Sequence, residues 1–124
     1  MRMNGLLTAC AGLMGAAGVA LAARAAHGGN DAGLMSAAMF LLIHAAALPE
    51  LAAVRGDGAA GKTMGLALAV LIAGTCLFSG DLALRGLAGA KLFANAAPIG
   101  GMAMILGWLA VAMSGLAGAL TPGK

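Results

Sequence analysis

Asp81 and Arg85 form the pair of side chains in this sequence whose types and spacing could do chemistry. They stand four positions apart, so on a helix they lie one turn apart on the same face. They close an apolar run that begins near Met64. An ionised side chain costs about 2.5–3.5 kcal/mol at the centre of a membrane helix on insertion scales. A chain that keeps both charges is therefore expected to pair them or to face them into a protein interior.

Other polar side chains are expected to converge on the half of the membrane where this pair lies. The predicted buried polar cluster consists of Arg24, His27, His44, Asp81, Arg85 and Asn95. One interpretation is a functional site: a proton relay, an ion path or a headgroup pocket. The other interpretation is structural. Asp81 would neutralise Arg24 or Arg85, and His44, near the membrane midplane, would hydrogen-bond a neighbouring helix. We favour the structural interpretation and keep the site as the alternative.

Neither a catalytic nor a metal-ligating pattern accompanies these residues. His27, His44 and Asp81 are mixed ligand types at different depths without a spacing motif, and no candidate nucleophile has a base beside it. Cys10 and Cys76 fall within apolar runs and are interpreted as small buried hydrophobic residues. We therefore predict a protein that is not an enzyme and that uses no metal and no cofactor.

The composition is that of an integral membrane protein. Of the 124 residues, 62% are hydrophobic and 9% are charged, and the mean hydropathy is +1.00. Soluble domains are about 25% charged. The net charge of +3 comes without a basic cluster, and aromatic residues make up only 3% of the chain. A nucleic-acid partner is therefore excluded, and residues 1–124 are predicted to form a single transmembrane domain.

Four apolar segments follow one another along the chain. They are predicted as helices at about 6–26, 32–54, 62–87 and 94–120. Each reaches the length of about 20 residues that a helix needs to cross a bilayer core. The connections are short, so consecutive helices must be antiparallel neighbours. The expected fold is all-α, an integral membrane four-helix up-down bundle.

Basic residues in the connections indicate how the bundle lies in the bilayer. Those on one side are Arg2, Arg55, Lys62 and Lys124. The other side has Lys91, because Arg24 and Arg85 are expected within membrane depth. We expect the protein to lie in the inner membrane of a bacterium. The positive-inside rule then places both termini in the cytoplasm.

Small residues recur at helical spacing in the third and fourth segments. Such stripes let membrane helices approach closely. The residues predicted to form helix contacts are Gly65, Gly80, Gly100, Gly107 and Ser114.

Several short motifs along nearly the whole chain resemble a known family. They are Ala26-His27-Gly28, His44-Ala45-Ala46-Ala47-Leu48, Phe78-Ser79-Gly80-Asp81-Leu82, Ala97-Pro98-Ile99-Gly100-Gly101 and Gly107-Trp108. In this order they resemble the small four-helix membrane proteins grouped as domain of unknown function 423, which include the transmembrane protein 256 type. The chain departs from the pattern at Ala97, where members often carry threonine. The resemblance implies a membrane location and this architecture, and it implies no activity.

Size, the lack of extramembrane mass and the small-residue faces favour a non-enzymatic accessory or assembly subunit. Its expected partners are the lipid bilayer and either another membrane protein or further copies of itself. The alternative is a small transporter or a proton- or ion-conducting protein that uses the buried Asp, Arg and His side chains.

Overall fold

The computed structural model describes residues 2–28 and 31–122, and these fold into four helices joined by short connections. The helices are α1 (Arg2–His27), α2 (Ala32–Ala53), α3 (Gly58–Ala88) and α4 (Ala96–Leu120). All four are long and apolar enough to cross a membrane. The predicted all-α four-helix fold is confirmed. The main differences in bounds are that α1 and α3 each begin four residues earlier than predicted.

The ends of the helices follow from local chemistry. Asp31 begins α2, and its carboxylate accepts a hydrogen bond of 3.0 Å from the backbone N–H of Leu34, which satisfies one of the free donors of the first turn. Gly89 ends α3 in the left-handed conformation with φ at 68°, which glycine adopts without steric cost. Pro98 lies in the first turn of α4, where its missing N–H removes no helical hydrogen bond.

Consecutive helices pack antiparallel. Gly15 of α1 faces Ala45 of α2, and Gly18 of α1 faces Leu42 of α2. Residue numbers therefore rise along α1 while those of the facing residues in α2 fall, as in an antiparallel pair. The most extensive helix contacts join α3 to α4, followed by α1 with α2 and then α2 with α3. α2 and α3 therefore form the centre, with α1 against α2 and α4 against α3.

The apolar core lies between α1, α2 and α3. It consists of Met14, Leu41, Leu48, Met64, Leu68 and Leu71. Lipid tails are as apolar as these side chains, so the core is stabilised by close packing more than by removal from water. Leu48, Met64 and Leu68 lie near the α2–α3 connection, so that half of the interior is filled by apolar side chains.

Candidate functional site

The buried polar side chains of the described residues mark where chemistry could take place. They are His44, Thr75, Ser79, Asp81 and Ser114. Three of them lie on α3, one on α2 and one on α4. A buried polar group requires a partner, so the partners show what each residue does.

Asp81 is fully buried near the C-terminal end of α3. The Nε–H of Arg85 donates to its Oδ2 at 2.8 Å, and the backbone N–H of Leu92 donates to its Oδ1 at 2.9 Å. Of the two arginines predicted as partners, Arg85 is therefore the one that binds. Both carboxylate oxygens have a donor, and charge-assisted bonds of this kind are stronger than neutral ones. Asp81 thus binds one side chain of its own helix and the backbone of the α3–α4 connection.

The α3–α4 connection is drawn back over α3 by this contact. Leu92 reaches Gly80, where an added Cβ would lie 3.6 Å from its Cδ1. Gly80, predicted as a helix-packing residue, therefore faces the connection and not another helix. The sequence does not reveal this contact, because the path of the connection depends on the hydrogen bond between Leu92 and Asp81.

His44 joins α2 to α4 in the middle of the bundle. Its Nε2 lies 3.1 Å from Nε1 of Trp108, and its Nδ1 lies 2.7 Å from the carbonyl oxygen of Phe40. Indole only donates and a carbonyl only accepts, so the imidazole must carry its proton on Nδ1 and accept at Nε2. Both ring nitrogens are thereby occupied. The predicted hydrogen bond from His44 to a neighbouring helix is present, and Trp108 supplies it.

Sequence reasoning named Trp108 within a family motif and missed this bond. The sequence did contain a signal for this hydrogen bond. In an up-down bundle α2 and α4 run in the same direction, and His44 and Trp108 each follow the first residue of their helix by twelve positions. They therefore lie at the same depth.

A groove opens sideways between α2 and α4 beside this hydrogen bond. It has a volume of about 480 Å³, within the usual range of small-molecule pockets, about 300–1,000 Å³. Its lining residues are Phe40, His44, Phe78, Gly101, Met104, Ile105, Trp108 and Leu109. Phe40 and Phe78 meet edge to face at 4.9 Å between ring centroids. Because His44 and Trp108 satisfy each other, the groove suits an apolar group and offers no ready acid or base.

Thr75 and Ser79 continue the polar side of α3 toward the middle of the bundle. The hydroxyl of Ser79 donates to the carbonyl oxygen of Ala37 on α2 at 2.9 Å. Thr75 is fully buried, and its hydroxyl has no hydrogen-bond partner among the described residues. An unsatisfied buried polar group costs about 1–3 kcal/mol. Sequence reasoning did not single out Thr75.

The six residues predicted as one buried cluster do not form one. Asp81 and Arg85 meet, and His44 is buried elsewhere with Trp108. Arg24, His27 and Asn95 are exposed at the surface of the bundle. Arg24 and His27 belong to the last turn of α1, from which long basic side chains can extend toward the interface. Within residues 2–28 and 31–122, His, Cys, Asp and Glu side chains form no group of three that could hold a metal ion.

The predicted helix-packing residues divide into two groups. Gly100, Gly107 and Ser114 lie between α3 and α4. A Cβ on Gly100 would come within 2.6 Å of the backbone nitrogen of Phe78, and one on Gly107 within 2.7 Å of Leu71 Cδ2.

Ser114 donates from its hydroxyl to the Ala60 carbonyl at 2.7 Å. Gly65 and Gly80 make no such helix contact. Gly65 instead faces the guanidinium of Arg55. Gly74, which the prediction did not include, lies at the centre of the interface, where its Cβ would meet the Gly100 carbonyl at 2.9 Å.

Comparison with known proteins identifies a family. A family model described as "Protein of unknown function (DUF423)" matches residues 14–101. This range runs from the first half of α1 to the start of α4 and includes His44, Asp81 and Gly100. No curated protein and no solved structure matches the chain.

Proposed function

Because the chain belongs to the DUF423 family and its four helices fit a multi-pass membrane protein, we propose that it is a non-enzymatic accessory or assembly subunit. It packs against another membrane protein in the bacterial inner membrane. The observation that carries this proposal is the outer face of α1. Small residues line that face at intervals of four, three, four and four positions. They are Gly5, Ala9, Gly12, Ala16 and Ala20, and all of them are exposed.

This outer face of α1 has the same character as the packed α3–α4 interface. Small residues allow two helix backbones to approach closely, and the gain comes from dispersion contacts that lipid chains make less well. Among the described residues, a Cβ added at Gly5 or Gly12 would meet no side chain and no other helix within 4 Å. The face is therefore open, and a partner helix would fit it as α4 fits α3.

The chemistry of the interior supports a non-enzymatic role. Both nitrogens of His44 and both oxygens of Asp81 are held in hydrogen bonds within the fold. A general base must have a free site within reach of the proton that it takes. Nε2 of His44 is already occupied by Trp108, and Asp81 is fully buried, so neither residue is placed for this role.

A cross-linking experiment tests the proposed contact. A photoreactive residue at Ala16 should give a cross-linked product in native membranes, and Gly12→Leu should abolish it by filling the face. The matched control is Gly115→Leu on α4, because Gly115 also has open space around it. Both variants should unfold at the wild-type temperature in detergent. A product that survives Gly12→Leu would contradict the proposal.

The orientation that we propose places both termini in the cytoplasm. The basic residues Arg55 and Lys62 of the α2–α3 connection support it through the positive-inside rule. Reporter fusions after Lys124 and in the α1–α2 connection should report opposite sides of the membrane. A periplasmic signal from the C-terminal fusion would reverse the assignment.

A second candidate function is conduction of protons or ions. The hydroxyl of Thr75, which lacks a hydrogen-bond partner within the described ranges and lies one turn from Ser79 on α3, favours it. Against it, Leu48, Leu68 and Leu71 fill the interior beyond Thr75. Purified protein in liposomes should therefore pass no more protons or ions than empty liposomes do. A flux that Thr75→Val or Asp81→Asn abolishes would favour conduction over the accessory role.

A further inference from the structure

We propose that the α2–α3 connection and the adjoining cleft between α1 and α3 bind one anionic phospholipid. The phosphate lies at Arg55 and Lys62, and an acyl chain lies in the cleft. The inference does not depend on the accessory role, since that role rests on the small residues of the outer face of α1, and none of them lines this cleft.

Arg55 is held in a fixed position along the first turns of α3. Its Nε–H donates to the carbonyl oxygen of Gly61 at 2.8 Å. The guanidinium lies over Gly65, where an added Cβ would come within 2.6 Å of one terminal nitrogen and 2.8 Å of Cζ. The arginine can lie flat against the helix only because residue 65 has no side chain. This contact gives Gly65 a purpose that its place in a small-residue stripe did not indicate.

The two terminal nitrogens of this guanidinium remain available. In the part of the chain that the structure describes, they make no hydrogen bond, and no carboxylate lies within 4 Å of Arg55. A guanidinium held by one nitrogen presents its other N–H groups as a planar fork, which matches the oxygens of a phosphate. Arg55 is thus oriented for an anion that the chain itself does not supply.

Arg55 also lies where a polar cavity and an apolar cleft meet. The polar cavity, of about 370 Å³, is formed by the α2–α3 connection and Lys62. The apolar cleft, of about 220 Å³, runs between α1 and α3 past Leu7, Cys10 and Ala69. Arg55 lines both of them. A polar space joined to an apolar one has the shape of a phospholipid, with its headgroup at one end and a chain at the other.

The depth of the junction agrees with this ligand. Gly61 and Gly65 follow the start of α3 by three and seven residues. At about 1.5 Å per residue they lie roughly 4–11 Å along the helix. The guanidinium is therefore near the level where headgroups meet acyl chains.

Charge selects the headgroup. Arg55 and Lys62 contribute two positive charges to the polar cavity, and Asp57 contributes one negative charge. Asp57 forms no side-chain cap on α3 and no ion pair with either basic residue within the described ranges. The cavity is therefore net positive, which favours an anionic phospholipid over a zwitterionic one. A free phosphate would use the same donors but would leave the apolar cleft unused.

The test is lipid binding by the purified full-length protein, measured by native mass spectrometry with dioleoyl phosphatidylglycerol and dioleoyl phosphatidylcholine. One phosphatidylglycerol per chain should be retained in preference to phosphatidylcholine. Arg55→Gln should weaken its binding by about fivefold, as expected for the loss of one basic contact. The matched control is Lys91→Gln, an exposed basic residue at the other end of the bundle, and it should bind as the wild type does.

A second variant tests the chain-binding cleft. Ala69→Leu should reduce binding of dioleoyl phosphatidylglycerol but not of the dihexanoyl lipid, whose chains are too short to fill the cleft. Equal binding by Arg55→Gln and wild type would overturn the proposal, and so would an equal loss in Lys91→Gln. Displacement of the bound lipid by millimolar inorganic phosphate would also overturn it, since that would show a phosphate site without a chain site. Thermal unfolding in detergent checks that each variant is folded.

Discussion

An arginine lies against each end of α3, and the two arginines have different partners. At the C-terminal end, Arg85 binds the carboxylate of Asp81, which also holds the backbone of Leu92. At the N-terminal end, Arg55 binds the carbonyl oxygen of Gly61 and no carboxylate in the described residues. One end is therefore neutralised within the fold, and the other end is anchored but keeps its charge. The pair of Asp81 and Arg85, the first charges to stand out in the sequence, stabilises the protein. The residue that we propose to bind an anion is Arg55, in the α2–α3 connection.

The largest loss of stability should come from breaking the ion pair between Asp81 and Arg85 at the C-terminal end of α3. Arg85→Leu leaves the fully buried Asp81 carboxylate with backbone donors alone. Removing one partner of a buried ion pair costs about 3–5 kcal/mol, and we expect the lower end of this range because Arg85 is partly exposed. The side chain of Arg85 is itself 40% exposed, so the cost arises from the uncompensated aspartate. Unfolding in detergent measures it.

Replacing both partners provides the control for this prediction. Arg85→Leu combined with Asp81→Leu should recover much of the lost stability, because an apolar pair needs no compensation. Arg24→Leu should not rescue Asp81 variants, since Arg24 is exposed and forms no ion pair within the described residues. A double variant no more stable than Arg85→Leu alone would show that the pair is not the cause.

An intermediate effect is expected where the two long helices of the C-terminal half touch. Gly100→Ala places a Cβ 2.6 Å from the backbone nitrogen of Phe78, and backbone cannot move aside, so we expect a loss of about 1–3 kcal/mol. Gly107→Ala should cost less, because its neighbour is the flexible end of Leu71. The control is Gly101→Ala, whose Cβ would make an ordinary 3.7 Å contact with Phe78. Equal unfolding temperatures for the three variants would mean that α3 and α4 are not in close contact.

The smallest effect on stability should come from the charged end. Arg55→Gln can lose one hydrogen bond to Gly61, made by a side chain that is exposed. We expect a change within about 0.5 kcal/mol, as for most surface substitutions. Measured beside Arg85→Leu by the same unfolding assay, this result would sharpen the contrast between the two ends. A loss as large as that of Arg85→Leu would remove the contrast.

The sequence contained the features that depend on local spacing. The four helices follow from the length of the apolar segments. The separation of Asp81 and Arg85 by one turn makes their contact one of the two pairings that the sequence predicts for Asp81. Gly100, Gly107 and Ser114 were found as members of a small-residue stripe. These features need no knowledge of how the helices are rotated.

The remaining features depend on that rotation. In a soluble helix the apolar face shows which side turns inward. Here the lipid-facing and core-facing sides are equally apolar, so Gly65 and Gly100 look alike in the sequence although one lies beneath an arginine and the other against a helix. Arg24 was placed with Asp81 because both lie near the same end of the bundle, and the sequence could not show that its side chain turns outward. The hydrogen bond from Leu92 to Asp81 depends on the path of the α3–α4 connection, which the sequence did not reveal.

The hydrogen bond between Trp108 and His44 has an optical consequence. Trp108 is the only tryptophan of the chain, and the chain has no tyrosine. The intrinsic fluorescence of the whole protein therefore arises from one indole, which lines the groove between α2 and α4 and donates its N–H to an imidazole. Acyl chains brominated at different carbons quench tryptophan on contact, so the fluorescence measures whether a lipid chain enters that groove and at what depth.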